Sequence, residues 1–324
     1  MNGKSLKNRP SSCKGAVALV VASLCLSFCP PNFAQATPPW GQGRNNPADD
    51  KGFTFAVPDI DNVPDLHGNP EGAKLVLFIG GNQFFVLPEL IAAFVSHHPE
   101  LRGHIFYETL PPGVLRKQMA SGGTVTLGNF TLHVHPDVFQ AGAEALTEME
   151  KQNQVEKPVS YVTNDLGIMV SKSNPKQIKS LRDLARPDIR LAMPNLEFEG
   201  VARQIAGSLR KAGGEDLFRA VYQEKPKSGS AYLTEIHHRQ TPMRIMKGES
   251  DAGVTWNSEI RFQEKIGNPI EGIPIPQNEN TTGTYAAAVL ANASHAEAAR
   301  AWVAFLTSPE AQNIYSEFGF GRVK

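Results

Sequence analysis

Two polar strings in this sequence carry side chains able to do chemistry. The first is Ile236-His237-His238-Arg239-Gln240-Thr241-Pro242. Its histidines offer imidazole nitrogens to a borderline metal, and His237 or His238 with the carboxylates of Glu199 and Glu259 would make a hard-to-borderline ligand set. Arg239 favours the opposite charge, because a planar guanidinium grips a carboxylate, an oxyanion or a metal-oxyanion complex. The plainer alternative is a capped, solvated helix start whose arginine makes a structural salt bridge. The second string is Gly80-Gly81-Asn82-Gln83, which follows the apolar run Leu75–Ile79. Five apolar residues predict a strand covered on both faces, and the amphipathic run behind Asn82 predicts a helix with Asn82 as its N-cap. A capped helix start presents free N–H groups and a partial positive charge, which suits an anion or a polar solute.

Other clusters point less sharply. His133 and His135, two apart on a predicted strand, share a face and would reach one metal, but strand histidines are more simply exposed or hydrogen-bonded. Asp59, Asp61, Asp65 and His67 match no calcium-loop spacing, and turn and capping roles suit such aspartates better. No Gly-x-Ser-x-Gly elbow, phosphate-binding glycine loop or His-Glu-x-x-His helix is present, so nothing in the sequence demands an enzyme.

The elements that must position these residues follow from periodicity and turn chemistry. Residues 104–109 predict a strand, and Pro112 opens a helix that Gly122-Gly123 closes. A hairpin or a kinked strand is expected over 124–135, a helix over 136–153 and one long strand over 161–172. Further strands are expected at 190–193, 251–256 and 284–290. Helices are expected at 200–212 (closed by Gly213-Gly214), 259–266, 294–306 and 309–318. A helix over 234–248 can tolerate Pro242 only in its first turn. Strands alternating with helices imply α/β architecture.

The first 36 residues predict an export signal. Lys4, Lys7, Arg9 and Lys14 precede an apolar core over 15–29, and Ala34-Gln35-Ala36 offers a small-x-small cleavage site. All three cysteines (Cys13, Cys25 and Cys29) lie in this leader, so a mature chain would hold no disulfide and no thiolate site. The whole chain has 32 basic and 32 acidic residues; losing four basic ones leaves it mildly acidic, which argues against nucleic acid. Residues 37–73 read as an extension or linker rich in Pro, Gly, Asn and Asp.

Several phrases resemble periplasmic solute-binding proteins of ABC transporters, specifically the molybdate/tungstate-binding branch. They are PPGVLRKQMASGG (111–123), HPDVFQAG (135–142), NDLGIMVSKSNPKQIKSLRDLARPDIRLAMPN (164–195), KGESDAGVTWNSE (247–259) and the closing stretch 286–320, together with the unit 75–94. The resemblance implies two lobes, each a mixed to mostly parallel sheet flanked by helices, joined by two crossing hinge segments. Lobe 1 would be 74–163 plus 283–324, and lobe 2 would be 164–282. A small inorganic ligand would sit in the cleft, a molybdate- or tungstate-type oxyanion by family default, and pass to an ABC permease in the inner membrane. The protein would be a periplasmic monomer that catalyses nothing and needs no cofactor.

Carried over by position, the resemblance puts Asn82, followed by Gln83, where a ligand serine begins the first helix. A second ligand serine falls at Pro111 or Pro112, beside Gly113. The backbone-contact segment of lobe 2 falls on 197–200, hence Glu199 and Gly200. A hydroxyl-bearing aromatic falls at Trp256. His237, His238 and Arg239 join these as ligand candidates. A transition metal or metal complex held by His237, His238 and Glu199 is the alternative ligand, and a sensory module or hydrolase on the same fold is the alternative role.

Overall fold

The computed structural model describes residues 65–127, 130–197, 199–234 and 238–323. The expected leader, most of the 37–73 extension and His237 lie outside these residues. In chain order the first part of the fold comprises β1 (Leu66–His67), β2 (Leu75–Ile79), α1 (Leu87–His97), β3 (Ile105–Glu108), α2 (Pro112–Ala120), β4 (Thr124–Leu127) and β5 (Phe130–His133). Next come β6 (Val138–Gly142), α3 (Ala143–Lys151), β7 (Val159–Asn164), β8 (Leu166–Ser171), β9 (Leu191–Met193), α4 (Gly200–Arg219) and a single turn α5 (Lys225–Lys227). The remainder is β10 (Ala231–Leu233), α6 (Gln240–Met246), β11 (Ala252–Trp256), α7 (Asn257–Lys265), β12 (Ile270–Pro274), β13 (Gly283–Val289), α8 (Ala296–Phe305), α9 (Pro309–Glu317) and β14 (Gly321–Arg322).

Two mixed sheets, each flanked by helices, form the two lobes. The first has the order β1-β3-β2-β6-β13-β7-β14 and the second β10-β9-β11-β8-β12. Parallel pairing is confined to β3-β2-β6 and to β10-β9-β11; the other neighbours within these two sheets are antiparallel. Strand β2 shows why its sequence is a continuous apolar run. Leu75, Leu77 and Ile79 pack with Leu90, Phe94 and Trp302 on one face, and Val76 and Phe78 pack with Phe106, Leu115 and Phe139 on the other.

The chain crosses between the sheets twice, once at Asp165 and once over 275–282. Asn280, buried at the second crossing, ties the two together: its Oδ1 accepts from the Leu166 N–H at 3.1 Å and its Nδ2 donates to the Leu166 carbonyl at 2.9 Å. The amide is shaped to pair with one residue's N–H and C=O at once, so the crossings act as one double-stranded joint.

Several expected elements differ from those observed. The 161–172 stretch is two strands in two different sheets, because β7 pairs with β13 while β8 pairs with β11 and β12. The expected helix over 136–153 begins instead with β6, whose residues 138–141 are buried between β2 and β13; α3 occupies only the second half. The helix expected to start at Asn82 starts at Leu87, with Pro88 in its first turn, and Asn82 sits in a 3-10 turn ahead of it. The 234–248 helix shortens to α6, which keeps Pro242 within its first turn. Gly213-Gly214 does interrupt α4, with Gly214 at φ 69°.

Tight approach between strands yields one stability prediction. A Cβ at Gly253 on β11 would collide with the Ala192 carbonyl oxygen and the Thr241 methyl. Gly253→Ala is therefore expected to destabilise by about 2–3 kcal/mol, read as a lowered urea midpoint. An unchanged midpoint would mean that β9 and α6 can move apart there.

Candidate functional site

Three helices begin at one cavity. The cavity measures about 840 Å³ and takes its walls from both lobes. Pro112 and Gly113 bring the start of α2, Gly142 to Ala145 the start of α3, and Glu199 to Val201 the start of α4. None of these three starts has a side-chain cap. The first N–H groups of a helix have no intrahelical acceptor, so each start offers donors and about half a positive charge to whatever fills the space.

The sequence produces each start by a different device. Pro112, with φ already helical and no N–H to leave unsatisfied, opens α2. Strand β6 runs straight into α3, with Gly142 at φ −60° and ψ 138° as both the last strand residue and the N-cap. Glu199 precedes α4, but its carboxylate turns away from the helix. It accepts from the Asn195 N–H at 3.1 Å, from the Thr234 hydroxyl, from the His238 N–H at 2.7 Å and from His238 Nδ1 at 2.7 Å. With its lone pairs occupied, Glu199 leaves the α4 donors to the cavity.

His238 bridges two buried carboxylates. Its Nε2 lies 2.8 Å from Glu259 Oε1, and the other Glu259 oxygen accepts from the Thr255 hydroxyl. Burial by itself would push the imidazole toward neutrality, but the charges and hydrogen bonds of Glu259 and Glu199 outweigh it and raise the pKa to about 10. His238 is therefore an imidazolium that donates from both nitrogens. To ligate a metal it would have to release a carboxylate and a proton together. Among the described residues no group of three or more His, Cys, Asp or Glu is placed to hold a metal ion.

Of the residues singled out from sequence, Asn82, Pro112, Gly113, Glu199, Gly200, His238 and Trp256 line the cavity. Asn82 is not an N-cap: its Nδ2 donates to the Tyr285 hydroxyl at 2.6 Å. Burial holds that phenol well above the ordinary tyrosine value, so it stays protonated. Trp256 is the N-cap of α7 and packs its ring against Gly283 and Tyr285. Gln83 does not line the cavity. It is buried in the lobe-1 core, donating to the Tyr161 hydroxyl at 2.7 Å and accepting from Tyr315 at 3.0 Å.

Arg239 is likewise outside the cavity lining. It is 4% exposed, pairs with Asp65, donates to the Thr109 carbonyl at 3.2 Å and lies 4.8 Å over the Phe84 ring. Because Arg239 belongs to lobe 2 and its partners to lobe 1, it bridges the cleft, and the structural salt bridge is the reading that describes it. His67 stacks on Tyr107, while His133 meets the Thr124 hydroxyl at 3.0 Å with the His135 ring 5.1 Å away; Asp59 and Asp61 lie outside the described residues.

Residues missed from sequence also line the cavity. Arg116 and Arg203 stand one turn into α2 and α4, one from each lobe. Their spacing from Pro112 and Gly200 places them near those helix starts, a signal that helical periodicity alone supplies. The α3 start was hidden because β6 and α3 read as a single helix.

A cleft between two α/β lobes on a double crossing, walled by helix starts, defines a solute-binding class of protein. The chain belongs to the family described as bacterial extracellular solute-binding protein, whose profile matches residues 75–321. It is 25% identical over 167 residues to a molybdate-binding protein of Mycobacterium bovis, covering 51% of this chain and 57% of that one. It is 24% identical over 195 residues to a sulfate-binding protein of Synechococcus elongatus, covering 58% and 55%. The chain thus spans little more than half the length of the curated relatives it matches. In fold it is similar to the sulfate-binding protein SubI of Mycobacterium tuberculosis, with a TM-score of 0.63 at 20% identity over 77% of this chain and 86% of that one.

Proposed function

We propose that this protein is an exported solute-binding protein that captures an anion in its interlobe cleft and hands it to the permease of an ABC importer. The lobes would be 74–163 plus 283–324 and 164–282, and the chain would act in the periplasm as a monomer after cleavage near Ala36. The observation that carries the reading is the convergence of three uncapped helix starts on one cavity. Kinship with molybdate- and sulfate-binding proteins supports an oxyanionic group as the part recognised. The engagement of both His238 nitrogens supports an anion over a transition metal. Membership of the extracellular solute-binding family supports binding without turnover as the role.

The test is a thermal-shift screen of oxyanions against divalent cations at low ionic strength. Binding to the folded state alone raises the apparent Tm in proportion to RT ln(1 + [L]/Kd). An anion is expected to raise it and a divalent cation to leave it unchanged. A rise with a metal alone, lost in His238→Ala, would sink the anion reading, and turnover of a solute would sink the claim of binding without catalysis.

A further inference from the structure

The cavity is far larger than a tetrahedral oxyanion. Four oxygens at roughly 30 Å³ each occupy on the order of 100 Å³, against about 840 Å³ here. Cavities of roughly 300–1,000 Å³ are those that hold organic ligands. Arg239 joins lobe 2 to Asp65 and Thr109 of lobe 1 across this cleft. An oxyanion stripped of water needs donors on every side. A space this wide leaves most of its volume unfilled by such an ion.

The lining suits a longer molecule. Arg116 and Arg203 are exposed to the cavity from opposite lobes, and neither forms an ion pair or side-chain hydrogen bond among the described residues. Unneutralised guanidiniums grip carboxylate or phosphate bidentately. Ala143, Ala145 and Val201, which also line the cavity, have no polar side chain to offer an ion and suit a carbon skeleton. Two full positive charges and three partial ones outweigh Glu144 and the one surplus negative charge of the Glu199–His238–Glu259 triad, which favours a divalent solute.

We propose that the solute is an organic dianion, a phosphorylated or polycarboxylated molecule whose skeleton lies along the cavity while Arg116 and Arg203 hold its anionic groups beside the helix starts. This rests on the anion reading above. Calorimetric titration of the purified protein tests it with four inorganic probes (molybdate, tungstate, sulfate and phosphate), two organophosphates (glycerol 3-phosphate and glucose 6-phosphate) and two dicarboxylates (succinate and malate). At least one organic probe is expected to bind tenfold or more tightly than every inorganic one, and whether it carries phosphate or carboxylate separates the two sources. Arg116→Ala and Arg203→Ala are each expected to weaken that probe by tenfold or more with the circular dichroism spectrum unchanged. If an inorganic oxyanion binds as tightly as every organic probe, or if neither arginine variant weakens binding, the inference falls and the anion reading stands. If no anion binds, both fall.

Discussion

Gly142→Asp is expected to make the protein more stable and to weaken anion binding by about 100-fold. Gly142 is the N-cap of α3, with the extended backbone that N-cap residues adopt, and a Cβ built on it meets nothing within 4 Å. An aspartate there accepts from the next N–H groups of the helix and, relative to glycine, stabilises it by about a few tenths of a kcal/mol. Those N–H groups are the ones α3 presents to the cavity. The substitution therefore fills the donors and sets a negative charge beside the ligand, where repulsion at an effective dielectric near 20 reaches about 3–4 kcal/mol. Opposite signs in the two readouts make the test sharp. Thermal melts without ligand report the first and calorimetry the second. A higher melting temperature with unchanged affinity would remove the α3 start from the site.

His238→Ala is expected to destabilise the fold by about 3–5 kcal/mol, the cost of leaving a buried charge without its partner. Glu199 and Glu259 are 3% and 5% exposed and would face each other without the imidazolium. The pH dependence follows from the raised pKa. An unfolded histidine titrates near 6.5 and His238 near 10, so its charge stabilises the fold in full below pH 6.5 and progressively less as pH rises through about 10. The gap in denaturation midpoint between wild type and His238→Ala should therefore be widest at pH 6 and narrow toward pH 10. A gap that stayed constant over that range would show that packing, not charge, makes His238 matter.

The same triad shows how far local reading extends. Chemistry-bearing residues were visible at His238, Glu199 and Glu259, because dense polar strings beside apolar strands are conspicuous. Their mutual pairing was not visible, because Glu199 precedes α4, His238 precedes α6 and Glu259 lies on α7. Both an open metal site and a closed ion triad fit those residue types. The distances of 2.7 Å and 2.8 Å describe a closed ion triad of His238 with Glu199 and Glu259.

Elements whose code is local were legible in the sequence: β2 from its continuous apolar run, α2 from Pro112 and Gly122-Gly123, and the hairpin of β4 and β5 from its alternation. Phrases spread from residue 75 to 320 also pointed to the two-lobed class. What the sequence could not decide depends on partners far along the chain. Residues 159–171 keep strand character throughout, so nothing local breaks them at Asp165; the break exists because β7 and β8 pair in different sheets. Asn82 meets the local rule for a cap, yet the buried hydroxyl of Tyr285 takes its amide. Gln83 and Arg239 are polar enough for a site, but burial commits one to the lobe-1 core and the other to the bridge between lobes. Sequence by itself determined the residue types, most of the helices and strands, and the family. Tertiary structure alone decided which helix starts share a cavity and how large that cavity is, since both depend on how the two lobes meet.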